Sequence, residues 1–270
     1  LRPQNDYADG DPATRAAVVD EHISVTLQLL YFLQHDDSID PEVRAAWKQW
    51  GLCRDEFADH GHMPYEIYVR ETRRIVGREV FTENDARWAE GVDRAPVHPD
   101  AIGVTEWFLD SHACTPEKVA GSLWEGELLL SHVTVPGQIS WRTLLPEDVD
   151  NLLVPVCLSA SHIGWAAVRL EPTWMALGES AAWAAVIARQ QGREPADIEV
   201  DALQRQLAEQ RIMLSFFNDV DQRVAEDWYP AVQYLGTQGY FGSYDAKPDE
   251  YLCRPLAEAW AAHYHALRNG

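Results

Sequence analysis

Positive charge is what this chain has least of: Lys and Arg total 22 against 43 Asp and Glu, a formal charge of −21 at pH 7. Proteins that grip a phosphate backbone accumulate basic residues to release counterions, so nucleic acid is not an expected partner. Cysteine is sparse as well. Cys53, Cys114, Cys157 and Cys253 lie far apart and form no CxxC pair, so neither a zinc knuckle nor a redox dithiol is signalled. A reduced, cytoplasmic chain fits this usage, although the spacing leaves open a disulfide or two in a secreted protein. No uncharged apolar run reaches about eighteen residues, and the opening LRPQNDYADGD lacks the basic and apolar regions of a signal peptide. A soluble protein without a membrane partner is expected. With 46% apolar residues in 270, there is material for one large or two modest cores.

Helical spacing of apolar residues marks Thr14–Gln34. A second helix is expected over Pro41–Trp50, started by Asp40 as N-cap with Pro at the first position and stopped by Gly51. The stretch DEFADHGHMP is turn-like, and the alternation of Tyr65, Ile67 and Val69 after it predicts a strand. Residues 82–127 read as loops and short strands, and two short strands are expected to flank Val135-Pro136-Gly137. Asn151–Val156 (NLLVPV) has the composition of a strand buried on both faces, feeding the loop CLSASHIGW. A helix follows over EPTWMALGESAAWAAVIARQQG, with Pro172 in its first turn, small residues that permit close packing, and a stop at Gly192. Further helices are expected at Val200–Ala208, near 221–235 and at Pro255–Leu267, and no internal repeat occurs.

A helix that emerges from a buried strand offers free N–H groups and a positive dipole end, and a reduced flavin is an anion that such an end would stabilise. A plain packing helix is the competing explanation. His162, an imidazole with an ordinary pKa near neutrality, has the chemistry to exchange a proton with a bound group, or else to bond the backbone. Arg169 could meet a substrate oxygen or an anionic ring, or pair with Glu171. Asp55, Glu56, Asp59, His60 and His62, with Asp110 and His112, are metal-ligand types, but their spacing matches no tight ligand pattern and a solvated turn accounts for them. Arg70, Arg73 and Arg74 suit either an anion or surface pairs. Eleven tryptophans raise a rival class, a carbohydrate-binding module without redox chemistry, because indole faces stack on sugar rings.

The run NLLVPVCLSASHIGWAAVRLEPTWMALGESAAWAA resembles the flavin-closing motif of the FAD-dependent oxidoreductase family, a strand followed by S-A-[ST]-H and R-x-x-P-x-x-M-x-x-G-x-A-A. Cys157, Ser159, Ala160, Ser161, His162, Arg169, Glu171, Pro172, Met175, Leu177 and Gly178 fall in step with it. LLYFLQHD, WGLCRDEF with GHMPYEIYVRE, and WRTLLP agree in the same order, which extends the resemblance over roughly residues 15–190. Glu179-Ser180, Trp183 and Asp37-Ser38-Ile39 depart from the family pattern. The family's opening G-x-G-x-x-G and ribose-binding acid are not found, and GTQGYFG, amid aromatics and without a preceding apolar strand, reads as a turn.

The resemblance implies an α/β (α+β) fold, the C-terminal portion of a two-domain FAD-dependent oxidoreductase with a mixed sheet and flanking helices. Residues 1–150 would face substrate, 151–192 close over the flavin, and 193–270 form a mainly helical region. The implied cofactor is FAD, held by Cys157, Ser159, Ser161, Glu171, Pro172, Thr173, Met175 and Gly178, with no metal. His162 and Arg169 would be catalytic, and His60, His62, Tyr68 and Arg70 would lie toward the substrate, a small alcohol or carbohydrate-like donor of hydride. The chain is accordingly expected to be a fragment or subunit whose dinucleotide-binding domain is separate or upstream.

Overall fold

A computed structural model of the chain describes residues 2–114, 118, 120–121, 124–221, 223 and 226–269. They fall into two compact units, Leu1–Thr72 with Cys114–Ser122, and Arg73–Ala113 with Leu123–Gly270.

In the first unit, α1 spans Pro12–His35, and Asp11 caps it by accepting the Thr14 N–H at 2.8 Å. The second helix, α2 (Pro41–Trp47), begins as the sequence predicts, with Asp40 accepting the Glu42 N–H at 2.9 Å. It stops earlier than Trp50 because Gln34 of α1 reaches over and donates to the Trp47 and Trp50 carbonyls at 3.0 and 2.8 Å, taking acceptors a longer helix would use. Within α1 only Val18 is buried. Among the described residues α1 alone has the length and apolar content to cross a membrane, and it carries Asp20 and Glu21. The alternation at Tyr65, Ile67 and Val69 does not become a strand, since no ladder partner lies beside it among the described residues.

The second unit is built on short ladders and helices, an α+β arrangement. β1 (Ala101–Thr105) pairs antiparallel with β4 (Gly137–Ser140), Thr105 opposite Gly137, with a register shift between Ala101 and Gly103. β2 (Asp110–Ser111) pairs antiparallel with β3 (Leu128–Leu129). Short strands stand on both sides of Val135-Pro136-Gly137, but they do not pair with each other: β4 starts at the glycine and pairs with β1, and β3 belongs to the other ladder.

Asn151–Val156 is not a strand. It leaves Leu152 and Val156 46% and 48% exposed, with Val154 N–H bonded to the Leu144 carbonyl. Its composition suits a strand flanked on both sides, and among the described residues no such ladder forms. The segment CLSASHIGW, expected as loop, turns helical at His162 because Ser161 caps α3 (His162–Val168).

The following helix, α4 (Glu171–Gln191), runs as predicted, from Pro172 in its first turn to Gly192 at φ +64°. Ser180, fully buried, donates to the Ile102 carbonyl at 2.8 Å, so a small residue on α4 lets the helix come down on β1. Leu158, Trp165, Val168, Leu177 and Ala184 join Ile102, Ile139, Trp141 and Leu144 in the core, which continues into Leu203 and Leu207 of α5 (Val200–Glu209).

A smaller cluster joins Phe217, Val220, Tyr229 and Phe241 to α6 (Tyr229–Thr237) and to Trp260 of α7 (Arg254–Asn269). The helix expected near 221–235 starts only at Tyr229, where Pro230 favours the first turn. Arg94, 2% exposed, lies against the rings of Phe217 and Tyr244 and donates to Ser215 Oγ at 2.7 Å, and burial holds its pKa below the ordinary guanidinium value. Tryptophans divide between core, as Trp141 and Trp165, and surface, as Trp50 and Trp88.

Candidate functional site

The site is assembled from a tight turn laid under a short helix. Phe81 donates its N–H to the Ser159 carbonyl at 3.0 Å and accepts the Ser161 N–H at 2.8 Å, a single parallel bridge that fixes where α3 begins. Directly after it, Thr82 and Asp85 form a capping box around the 3-10 turn Glu83–Ala86, with the Thr82 N–H bonded to the Asp85 carboxylate at 2.6 Å. Gly164 is needed at the contact. A Cβ there would sit 2.5 Å from the Phe81 carbonyl oxygen and 2.9 Å from Thr82 Cα.

His162 opens α3, half-buried, after Ser161, whose hydroxyl accepts the Gly164 N–H at 2.9 Å. Its Nε2 lies 2.9 Å from the Gly126 carbonyl. The ring borders a cavity of about 450 Å³ lined also by Glu83, Glu127, Leu128, Ser161 and Ile163. Two carboxylates and no Lys or Arg among these lining residues make the cavity unwelcoming to an anion and open to a neutral hydroxyl.

At the start of α4, Leu170 supplies no side-chain cap, so N–H groups of the first turn are left to solvent or a ligand. Pro172 and Thr173 line a second cavity of about 600 Å³ together with Ala176, Glu179, Arg211 and Phe216. Met175 is 75% exposed, Glu171 is exposed, and Gly178 is half-buried with nothing within 4 Å of where a Cβ would stand. Packing against the described residues therefore does not require the absent side chain at Gly178. Cys157 and Ser159 take structural hydrogen bonds, the Cys157 carbonyl accepting from Ile75 N–H at 3.0 Å and the Ser159 N–H donating to Thr143 at 2.9 Å.

Arg169 ends α3 and is 6% exposed. It donates to Asp110 Oδ2 at 3.3 Å, so an acidic partner stands on β2, 59 residues away. Asp110 in turn lies 3.6 Å from His112 Nε2.

A group the sequence did not single out surrounds His98. Its Nε2 meets Asp85 at 3.0 Å, its Nδ1 is 3.6 Å from Glu79, and Ser140 Oγ lies 2.7 Å from Glu79 and 2.6 Å from Asp100. Burial depresses the His98 pKa, but the hydrogen bond to Asp85 and the charges of Asp85, Glu79 and Asp100 outweigh it and raise the value. For Asp85 burial pushes up, and bonds from His98 and Thr82 outweigh it and lower the value. Glu79, His98 and Asp100 each offer a ligand atom within 4.8 Å of the others. Among these residues only Asp85 had a local signal, the T-x-x-D of its capping box.

His60, His62, Tyr68 and Arg70 belong to the first unit. His60 and His62 direct Nδ1 at the carbonyls of Met63 and Glu56, at 2.9 and 3.1 Å, and Asp59 accepts the Tyr65 hydroxyl at 2.7 Å, so these groups order their own loop. Arg70 rests over the Tyr68 ring at 5.6 Å.

Comparison with known proteins gives one family: a model described as FAD dependent oxidoreductase matches residues 2–207. No curated protein matches the chain. Nor does any solved structure.

Proposed function

Because the chain belongs to the FAD dependent oxidoreductase family, whose cofactor is FAD, we propose that its second unit oxidises a small neutral alcohol or carbohydrate-like substrate at the start of α3. The single observation that carries this is His162, half-buried beside a cavity whose lining, among the described residues, offers carboxylates and a helix cap but no cation. When bound, FAD supplies the two-electron acceptor that the side chains lack.

The donor set of α4 fits such a group. Its uncapped first turn and the Thr173 hydroxyl suit the negative charge that gathers on a reduced flavin, and the open space at Gly178 would admit a ring edge. Pro172 and Met175 would pack on the ring faces, while Cys157, Ser159, Ser161 and Glu171 hold the approach to the two helices. His162 takes the substrate hydroxyl proton. Arg169, paired with Asp110 in the interior, holds the α3–α4 junction as a positioning group rather than touching substrate. His60, His62, Tyr68 and Arg70 are assigned to the substrate side by their place in the family motif alone. The regions 1–150, 151–192 and 193–270 keep their proposed roles as substrate-facing, flavin-closing and helical parts.

Purified protein loaded with FAD and offered neutral polyols or 2-hydroxy acids under anaerobic conditions tests the substrate class through bleaching of the flavin absorbance. Neutral alcohols should bleach faster. A preference for the hydroxy acids would overturn the assignment, since Glu83 and Glu127 should repel them.

A further inference from the structure

We propose that Glu79, His98 and Asp100 form a binding site for a divalent first-row transition-metal ion. Each of the three half-buried residues brings one ligand atom within 4.8 Å of the others, and all three line one cavity of about 440 Å³. Bonds of about 2.0–2.2 Å set tetrahedral ligand atoms about 3.4 Å apart, a closure that carboxylates make by turning about their own side-chain bonds. One imidazole with two carboxylates suits zinc, manganese or iron better than the all-oxygen shells that magnesium and calcium take.

The far side of the His98 ring prepares it for this. Asp85 holds Nε2 at 3.0 Å, and a carboxylate only accepts, so Nε2 carries a proton and Nδ1, 3.6 Å from Glu79, is the nitrogen turned toward the ion. A carboxylate behind the imidazole is what metal-bound histidines generally have, because it fixes both tautomer and ring orientation. Any proton on Nδ1 leaves as the ion binds. The backbone that carries the donors is tied to β4: the His98 N–H bonds the Gln138 side chain at 2.8 Å, and the Asp100 carbonyl accepts the Trp141 N–H at 3.0 Å.

Hydrogen count and charge both call for a cation. Ser140 Oγ lies 2.7 Å from Glu79 and 2.6 Å from Asp100, yet one hydroxyl proton serves only one of these contacts, so two carboxylates crowd around a shared oxygen. With a neutral ring, the three carboxylates of Glu79, Asp85 and Asp100 stand against one guanidinium, Arg142, 3.9 Å from Glu79. Arg78, also in the cavity wall, is paired with Asp150. Two negative charges remain, the complement of a divalent ion.

Trp141 adds an observation separate from the carboxylates. It is 2% exposed and lines the same cavity, and its Nε1–H has no hydrogen-bond partner among the described residues. A buried donor without an acceptor points to a water or ion that the side chains do not supply, and three protein ligands leave a fourth metal position for a water whose oxygen accepts. Asp85 shares its 3-10 turn with Glu83 of the His162 cavity, so an ion at His98 would anchor that wall.

The chain, stripped with a chelator and titrated calorimetrically with Zn²⁺ at about pH 8, where an ordinary imidazole is neutral, tests the site. One tight equivalent should bind and raise the melting temperature, and Mg²⁺ at the same concentration should leave it unchanged. Asp100→Asn and Glu79→Gln keep the side-chain size and lose the ligand charge, and each should weaken binding by roughly tenfold or more. Anomalous diffraction at the zinc edge needs no variant, and should place the ion about 2.0–2.2 Å from His98 Nδ1 and from an oxygen of Glu79 and of Asp100. No uptake of Zn²⁺, binding in D100N as tight as in the wild type, equal stabilisation by Mg²⁺, or an ion bound elsewhere on the chain would overturn the proposal.

Discussion

Two glycines on consecutive helices should respond in opposite directions to the same added methyl group. At Gly164 a Cβ would meet Phe81 O at 2.5 Å, Thr82 Cα at 2.9 Å and Phe81 C at 3.0 Å, all backbone atoms that cannot rotate away. Replacing glycine by alanine inside a helix contributes about 1 kcal/mol through propensity. Overpacking of this kind costs about 1–3 kcal/mol, and a contact with rigid backbone lies at the upper end. Gly164→Ala should therefore destabilise by about 1–2 kcal/mol, which lowers the melting temperature by roughly 2–8 °C for a unit of this size. At Gly178 nothing lies within 4 Å, so the propensity gain stands alone and G178A should raise the melting temperature by roughly 2–4 °C. If Gly178 faces the flavin ring, the same methyl group should weaken FAD, titrated by quenching of its fluorescence, roughly tenfold. Calorimetry on the flavin-free proteins reads the first two effects. A Gly178→Ala protein that melts lower, or a G164A protein that melts no lower, would refute the packing derived for these helices, and unchanged FAD affinity in G178A would remove that glycine from the ring face.

Stability should depend on pH through His98 and Asp85. His98 has a raised pKa in the folded state, so its contribution is complete below about pH 6.5 and is lost as pH rises through the folded value; Asp85, lowered, contributes fully above about pH 4 and loses this on acidification. The stability difference between wild type and His98→Gln, measured by urea midpoints, should be greatest between about pH 4 and 6.5 and shrink above it; a constant difference from pH 5 to 9 would contradict the pairing. Asp110→Asn removes the carboxylate 3.3 Å from the Arg169 guanidinium, which is 7% exposed, and because Asp110 is itself 28% exposed the expected loss in a denaturation experiment is about 1–3 kcal/mol. By contrast Glu258→Gln at the open Arg254 pair should leave the melting temperature unchanged within error.

Local signals were legible because local groups decide them. Asp40, Pro172 and Gly192 act within one helical turn, and each marks the end that the sequence assigns to it. What sequence could not show were decisions made at a distance. Gln34 of the neighbouring helix bonds the end of α2, Arg169 meets Asp110 59 residues away, and His162 meets Gly126 36 residues away. Asn151–Val156 was misread for a related reason: a strand exists only with a partner, and apolar composition does not state whether one is beside it. His162 itself was visible through its motif, whereas the cavity beside it is lined by Glu83 and Glu127, which carry no signature.

The most direct test of the account is the anaerobic, single-turnover rate at which a neutral alcohol reduces bound flavin in H162A and wild type, compared at equal FAD occupancy. Loss of a general base should slow that step by about 10²–10⁴-fold while FAD affinity changes little. Equal reduction rates in the two proteins would contradict the claim that the start of α3 is where the substrate gives up its proton.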